Sequence, residues 1–110
     1  MSALADIKLA HTYAQLMWHT EAVTVANRAA LLAMRAAIDR ALSEGVGSAS
    51  LSVTDGEGYD HLFVCNDRGW EHPSWIALQT PYTHEAAGDH RTDRTDPFDI
   101  RQLVEREGIS

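Results

Sequence analysis

The sequence has one cysteine, three prolines and no long apolar run in its 110 residues. Cys65 stands alone, so no internal disulfide can form, and a reducing compartment such as the cytoplasm is expected. The absence of a stretch of about eighteen apolar residues argues against a membrane-spanning helix. The first residues also lack the basic, apolar and small-residue series of a signal peptide. We therefore expect a single cytoplasmic domain of residues 1–110 with no membrane partner.

Basic residues are scarce: nine Lys and Arg stand against sixteen Asp and Glu, which gives a net charge of −7. The first 44 residues sum to zero, so all of the net charge follows residue 44. Because nucleic-acid backbones are bound through Lys and Arg, direct nucleic-acid binding is disfavoured. An acidic half favours a protein partner with a basic surface, although the same charge can serve solubility alone.

Glycine and proline are absent from the first 44 residues, so nothing there interrupts a helix. Apolar residues recur every three or four positions, which predicts a helix over 3–43 that Gly45 ends in the left-handed conformation. Its stripe comprises Leu9, Tyr13, Leu16, Thr20, Val23, Asn27, Leu31, Met34, Ile38 and Leu42. An unbroken helix of that length would span about 60 Å. It must bend, break near Thr20 into a helical hairpin, or pair with a second chain.

Two polar residues, Thr20 and Asn27, interrupt this stripe. A polar residue at such a position can set register and oligomeric state in a pair of helices. A homodimer along the N-terminal helix is therefore one hypothesis, with a seam formed by Leu9, Tyr13, Leu16, Thr20 and Asn27. The alternative is that the stripe curves around a sheet and leaves both polar side chains in solvent.

Residues 49–79 show the alternation and turn signals of β-structure. Three strands are predicted, at 49–54, 61–65 and 75–79, with glycine-containing turns between them, and they are expected to form an antiparallel meander. A long polar loop follows at 81–95. Asp96 and Pro97 then predict the start of a short C-terminal helix that ends at Gly108. The predicted fold is α+β, with the order α–β–β–β–α.

The polar loop holds the best metal candidates, His84, Asp89 and His90, whose imidazole and carboxylate groups suit zinc or a similar ion. A helical His-Glu-x-x-His motif needs its second histidine four residues after the first, and that position is Gly88. Because the motif fails, neither a metal nor another cofactor is expected, and no catalytic residue is predicted. A small metal- or histidine-dependent enzyme that uses residues 84–93 is kept as an alternative.

The acidic segment after residue 54 supplies the candidate binding residues. Its carboxylates suit a basic surface, and tryptophan is enriched at interface hot spots. The predicted partner-binding residues are Asp55, Glu57, Asp60, Asp67, Glu71, Trp70 and Trp75. In general character the chain resembles small inhibitors of bacteria and their phages, such as immunity proteins, antitoxin-like factors and anti-CRISPR proteins. That resemblance implies an inhibitor that covers a basic, possibly nucleic-acid-binding, surface of another protein.

Overall fold

The computed structural model describes residues 7–17, 19–76, 78 and 97–107. The chain divides into two compact units, residues 1–13 with 23–65 and residues 14–22 with 66–110. The first unit contains β1 (Ala10–Tyr13), β2 (Val23–Ala26), α1 (Arg28–Glu44), β3 (Val46–Ser52) and β4 (Gly58–Val64). The second contains α2 (Pro73–Ile76), a 3-10 turn (Pro97–Asp99) and α3 (Ile100–Glu107). The predicted α+β class and the short C-terminal helix are confirmed.

Two antiparallel hairpins form the sheets of the first unit. β1 pairs with β2 from Ala10 opposite Ala26 to Tyr13 opposite Val23. β3 pairs with β4 from Val46 opposite Val64 to Ser52 opposite Gly58. A single parallel bridge between Leu9 and Ser52 connects the two hairpins. This bridge brings the start of β1 to the end of β3.

The predicted helix over 3–43 is wrong in its first half, because residues 10–13 and 23–26 are strands and α1 begins at Arg28. Val23, Thr24 and Val25 form a β-branched run, which favours a pleated strand over a helix. Asn27 is the N-cap of α1: its side-chain oxygen accepts from the Ala30 backbone N–H at 2.9 Å. A polar residue that had been placed within a helical stripe is therefore the residue that starts the helix.

The proposed dimer seam loses its helical basis for the same reason. Leu9 and Tyr13 lie on an extended segment, Leu16 is exposed before β2, and Asn27 caps α1. The Thr20 hydroxyl donates to the Met17 carbonyl at 2.6 Å, which closes a local turn. These five residues do not lie on one helix, so the helical geometry assumed for the seam is not observed. Dimerisation itself stays a prediction.

The third predicted strand is also wrong at its start, since Trp75 belongs to helix α2. Pro73 has its φ angle set for the first helical position. The backbone N–H groups of Trp75 and Ile76 both donate to the His72 carbonyl, at 2.8 and 2.9 Å. Among the described residues, the sheet of β3 and β4 has two strands, so the expected three-stranded meander is not formed. The loop at 81–95 lies outside the described residues.

The core of the first unit lies between α1 and the β3–β4 sheet. Small side chains dominate the helix side of this interface, where the buried residues are Ala30, Met34, Ala37 and Ala41. Ala49 and Leu51 of β3 meet them from the sheet. Gly45 ends α1 with φ of 97°, and its N–H donates to the Ala41 carbonyl at 2.8 Å. The predicted left-handed glycine is confirmed, and it turns the chain directly into β3.

Candidate protein-binding surface

The turn between β3 and β4 is an ordered acidic loop. Gly56 takes a positive φ of 95°, and its N–H donates to the Val53 carbonyl at 3.0 Å. The Asp55 carboxylate accepts from the Glu57 N–H at 2.9 Å, which fixes the turn from within. On β4, the Asp60 carboxylate accepts from the Ser50 hydroxyl at 3.0 Å. Three of the predicted binding acids, Asp55, Glu57 and Asp60, therefore lie exposed on one hairpin.

His11 of β1 joins that strand to the acidic turn. The Thr54 backbone N–H donates to His11 Nε2 at 3.1 Å, across 43 residues of sequence. Nε2 is the acceptor in this hydrogen bond, which assigns the ring proton to Nδ1. Nδ1 lies 3.0 Å from the Tyr13 hydroxyl and donates to it, and the two rings meet edge to face. These contacts hold the Tyr13 ring in place at the end of β1.

A shallow groove runs between the end of β1 and the acidic turn. It has a volume of about 230 Å³ and is lined by His11, Thr12, Tyr13, Val53, Thr54 and Asp55. Tyr13 is 55% exposed, and the lining contains one carboxylate and neither Lys nor Arg. Pockets for small-molecule ligands usually measure about 300–1,000 Å³. The groove is therefore of a size to take one side chain rather than a whole ligand.

The sequence pattern indicated only the acidic side of this groove. Asp55 was predicted as a binding residue, whereas His11 and Tyr13 had been placed on a helix. The missing information was a contact between His11 and Thr54, which are distant in sequence. The sequence signal available for a strand here was the pair Thr12 and Tyr13, because both residue types favour strands.

His61 is a second histidine with a defined environment, but it does not line the groove. It lies opposite Ala49 on the sheet face that packs against α1. Its ring stacks on that of Phe63 with centroids 4.4 Å apart. Nδ1 is buried and has no hydrogen-bond partner among the described residues. Desolvation by burial lowers the pKa of His61 below its ordinary value of 6.5.

The remaining predicted binding residues belong to the second unit. Asp67, Trp70 and Glu71 are exposed, with 69% of Trp70 accessible. Trp75 is 3% exposed, and its indole N–H has no hydrogen-bond partner among the described residues. Of the two tryptophans predicted to bind a partner, Trp70 is the one on the surface.

The metal hypothesis concerns His84, Asp89 and His90, which lie outside the described residues. Within the part of the chain that the structure describes, no three His, Cys, Asp or Glu side chains are grouped to hold a metal ion. Among the described residues, no helix has the length and apolar character needed to cross a membrane. The enzyme alternative that uses residues 84–93 stays a hypothesis.

Comparison with known proteins finds no matching family model. No curated protein and no solved structure is significantly similar to the chain. The observations that bear on function are therefore the geometry of the groove and the distribution of charge.

Proposed function

We propose that this chain is a non-catalytic protein-binding module that seats a lysine or arginine side chain of a basic partner in the groove. The observation that carries this proposal is the exposed Tyr13 ring in the same groove as the Asp55 carboxylate. A cation over an aromatic face gains about 0.5–2 kcal/mol. A carboxylate adds a charge-assisted hydrogen bond to the same cation. Arginine suits both contacts because its planar group can stack and donate together.

The charge distribution supports a basic partner. The net charge of −7 comes entirely from residues after 44. Asp55 lines the groove, and Glu57 and Asp60 are exposed on the same hairpin, which backbone and side-chain hydrogen bonds hold. Such a field steers a positive surface towards the site and raises the association rate at low salt. A rigid hairpin also loses little conformational entropy when it binds.

The biological role that fits these properties is inhibition by coverage. A small acidic protein can occupy a basic surface that its partner otherwise uses, including one that binds nucleic acid. This action requires complementary charge and an aromatic anchor, but no reacting group. Immunity-type and anti-defence proteins are the class in which we place the chain.

A titration with a short arginine-rich peptide, followed by amide NMR shifts, tests the binding site. We expect shift changes concentrated at residues 11–13 and 53–55, and binding that weakens as salt increases. Tyr13→Ala and Asp55→Asn should each lower the affinity for the peptide by about tenfold, equivalent to about 1.4 kcal/mol of binding free energy.

Glu44→Gln is the matched control, because it removes the same charge as Asp55→Asn at an exposed position outside the groove lining. It should leave the affinity within about twofold of the wild-type value. Equal weakening by both substitutions would show that net charge alone attracts the peptide. Equal binding of an acidic peptide would contradict the proposal outright.

A further inference from the structure

The exposed side of α1 carries a stripe of large apolar residues. Leu31, Ile38 and Leu42 are 51%, 42% and 68% exposed. Because each residue advances the helix by about 100°, these three fall within an arc of about 40°. Scattered exposed leucines need no explanation, but several large apolar residues aligned on one side of a helix indicate an interaction surface. We call this stripe, with the charged residues along its edge, the outer face; those charged residues are Arg28, Arg35 and Asp39.

The charges on the outer face are complementary to a second copy of themselves. Arg35 and Asp39 are one turn apart on the same edge, and neither forms an ion pair with another described residue. When two identical helices lie antiparallel about a two-fold axis, this edge meets its own copy in reverse order. Arg35 of each chain then faces Asp39 of the other. A parallel arrangement brings the edge against the opposite side of the stripe and forms no such pair.

The ends of α1 give a second, independent indication of direction. A helix is stabilised by acidic residues in its first turn and basic residues in its last. α1 has neither, and instead it starts with Arg28 and ends with Glu44. These charges oppose the dipole of their own helix. In an antiparallel pair, Arg28 lies beside the negative C-terminal end of the other helix, where a cation is favourable.

We propose that two copies of this chain pair antiparallel through the outer face of α1, with reciprocal Arg35–Asp39 ion pairs. Leu31 of one copy then faces Leu42 of the other, with an offset along the helix axis of about one residue rise, 1.5 Å. The helix has 17 residues and is about 25 Å long, so the apolar contact is modest and a reversible micromolar dimer is expected. The groove beside Tyr13 contains none of these residues, so this proposal is independent of the proposed function.

Sedimentation equilibrium over about 1–200 µM measures the pairing. Arg35→Asp and Asp39→Arg should each weaken the dimer by about tenfold or more, because two attractive pairs become repulsive. An equimolar mixture of the two variants should recover the dimer, since each chain then supplies charges opposite to those of the other. Arg40→Asp is the control: it reverses an exposed charge of the same helix away from the outer face, and it should leave the dimer unchanged.

Three results would overturn the proposal. The wild-type chain could remain a monomer throughout this range, the two charge reversals could leave its dimer intact, or their mixture could remain monomeric. Circular dichroism of each variant establishes that the fold is kept, as expected for exposed positions.

Cysteine cross-linking tests the direction of pairing in a Cys65→Ala background, which removes the one natural cysteine. A mixture of Leu31→Cys and Leu42→Cys chains should cross-link on oxidation, because the antiparallel pair brings these positions together. Leu31→Cys alone should cross-link at least about tenfold more slowly, because its copies lie at opposite ends of the interface. Efficient cross-linking of Leu31→Cys alone would indicate a parallel pair and refute the antiparallel one.

Discussion

The two sides of helix α1 differ in the size of their apolar residues. Large apolar residues are usually the buried ones, but on α1 most of the buried residues are small and several large ones are exposed. The side that faces the sheet buries Ala30 and Ala37, which are 0% and 1% exposed. The outer face presents Leu31 and Leu42, which are more than half exposed. Burial on this helix therefore follows steric fit to the sheet rather than the amount of apolar surface on each side chain.

Gly47 explains why small residues are required on the sheet side. It lies on β3, and a Cβ atom at this position would overlap the backbone carbonyl of Ala37. At Gly47 the backbone of α1 approaches β3 so closely that no side chain fits between them. Leu31, Ile38 and Leu42 are left on the outside, where a second molecule can cover them.

The largest effect should come from Gly47→Ala, which places one methyl group in this contact. We expect the free energy of unfolding to fall by about 3 kcal/mol, measured by urea denaturation, because backbone rather than a flexible side chain must move. Gly58→Ala on β4 is the control, since its Cβ would lie 3.7 Å from the Leu51 carbonyl, an ordinary contact. Similar losses for both variants would mean that the close approach of α1 to β3 is not the cause.

The second-largest effect on stability is expected when alanine is replaced by leucine on the buried side of α1, and the same substitution on the exposed side is the comparison. Ala37→Leu adds the same atoms as Ala36→Leu, but Ala37 is buried and Ala36 is exposed. Overpacking should cost the first variant about 2 kcal/mol, whereas the second should stay within about 0.5 kcal/mol of wild type. If thermal unfolding ranks the two variants equally, the distinction between the sides of α1 fails.

A smaller effect concerns the boundary between the helix and the strands before it. The Asn27 side chain accepts from Ala30 N–H and donates to the Ile7 carbonyl at 2.6 Å. Asn27→Ala should lower the free energy of unfolding by about 1–2 kcal/mol. Asn27→Asp keeps the cap acceptor and loses the donor, so an intermediate loss is expected in the same denaturation experiment. A loss for Asn27→Asp as large as for Asn27→Ala would assign the effect to the Ile7 contact alone.

Asn27 also shows what could be predicted from the sequence. Local signals succeeded: Gly45 ends α1, Gly56 shapes the hairpin turn, and Pro97 opens the C-terminal helical segment. Periodicity failed before residue 27, because a spacing of three and four can be drawn through short strands as well as through a helix. The β-branched run at 23–25 and a strong N-cap residue were the better evidence.

The candidate site was predictable on one side only, for a related reason. Asp55 and Glu57 follow from turn chemistry, which depends on neighbouring residues. The position of Tyr13 depends on the hydrogen bond between His11 and Thr54, which joins distant parts of the chain. The exposure of the outer face of α1 was likewise not predictable from periodicity. The predicted apolar stripe includes four residues of α1, and only Met34 is buried; the other three are Leu31, Ile38 and Leu42. No local rule shows that the sheet would select alanines.

The smallest expected effect on stability concerns His61, which lies on the face of the β3–β4 sheet that packs against α1. Burial holds the folded-state pKa of His61 below 6.5, so the folded protein favours the neutral ring. The contribution of neutral His61 to the free energy of unfolding is therefore complete above pH 6.5, and it is lost as pH falls through the lower folded-state pKa. His61→Gln should reduce the decrease of the urea midpoint at acid pH. His19→Asn is the control and should keep the wild-type decrease, because His19 is exposed. Its φ of 68° is one that asparagine tolerates. If both variants keep the wild-type decline, protonation of His61 is not what opposes the packing of α1 on the sheet.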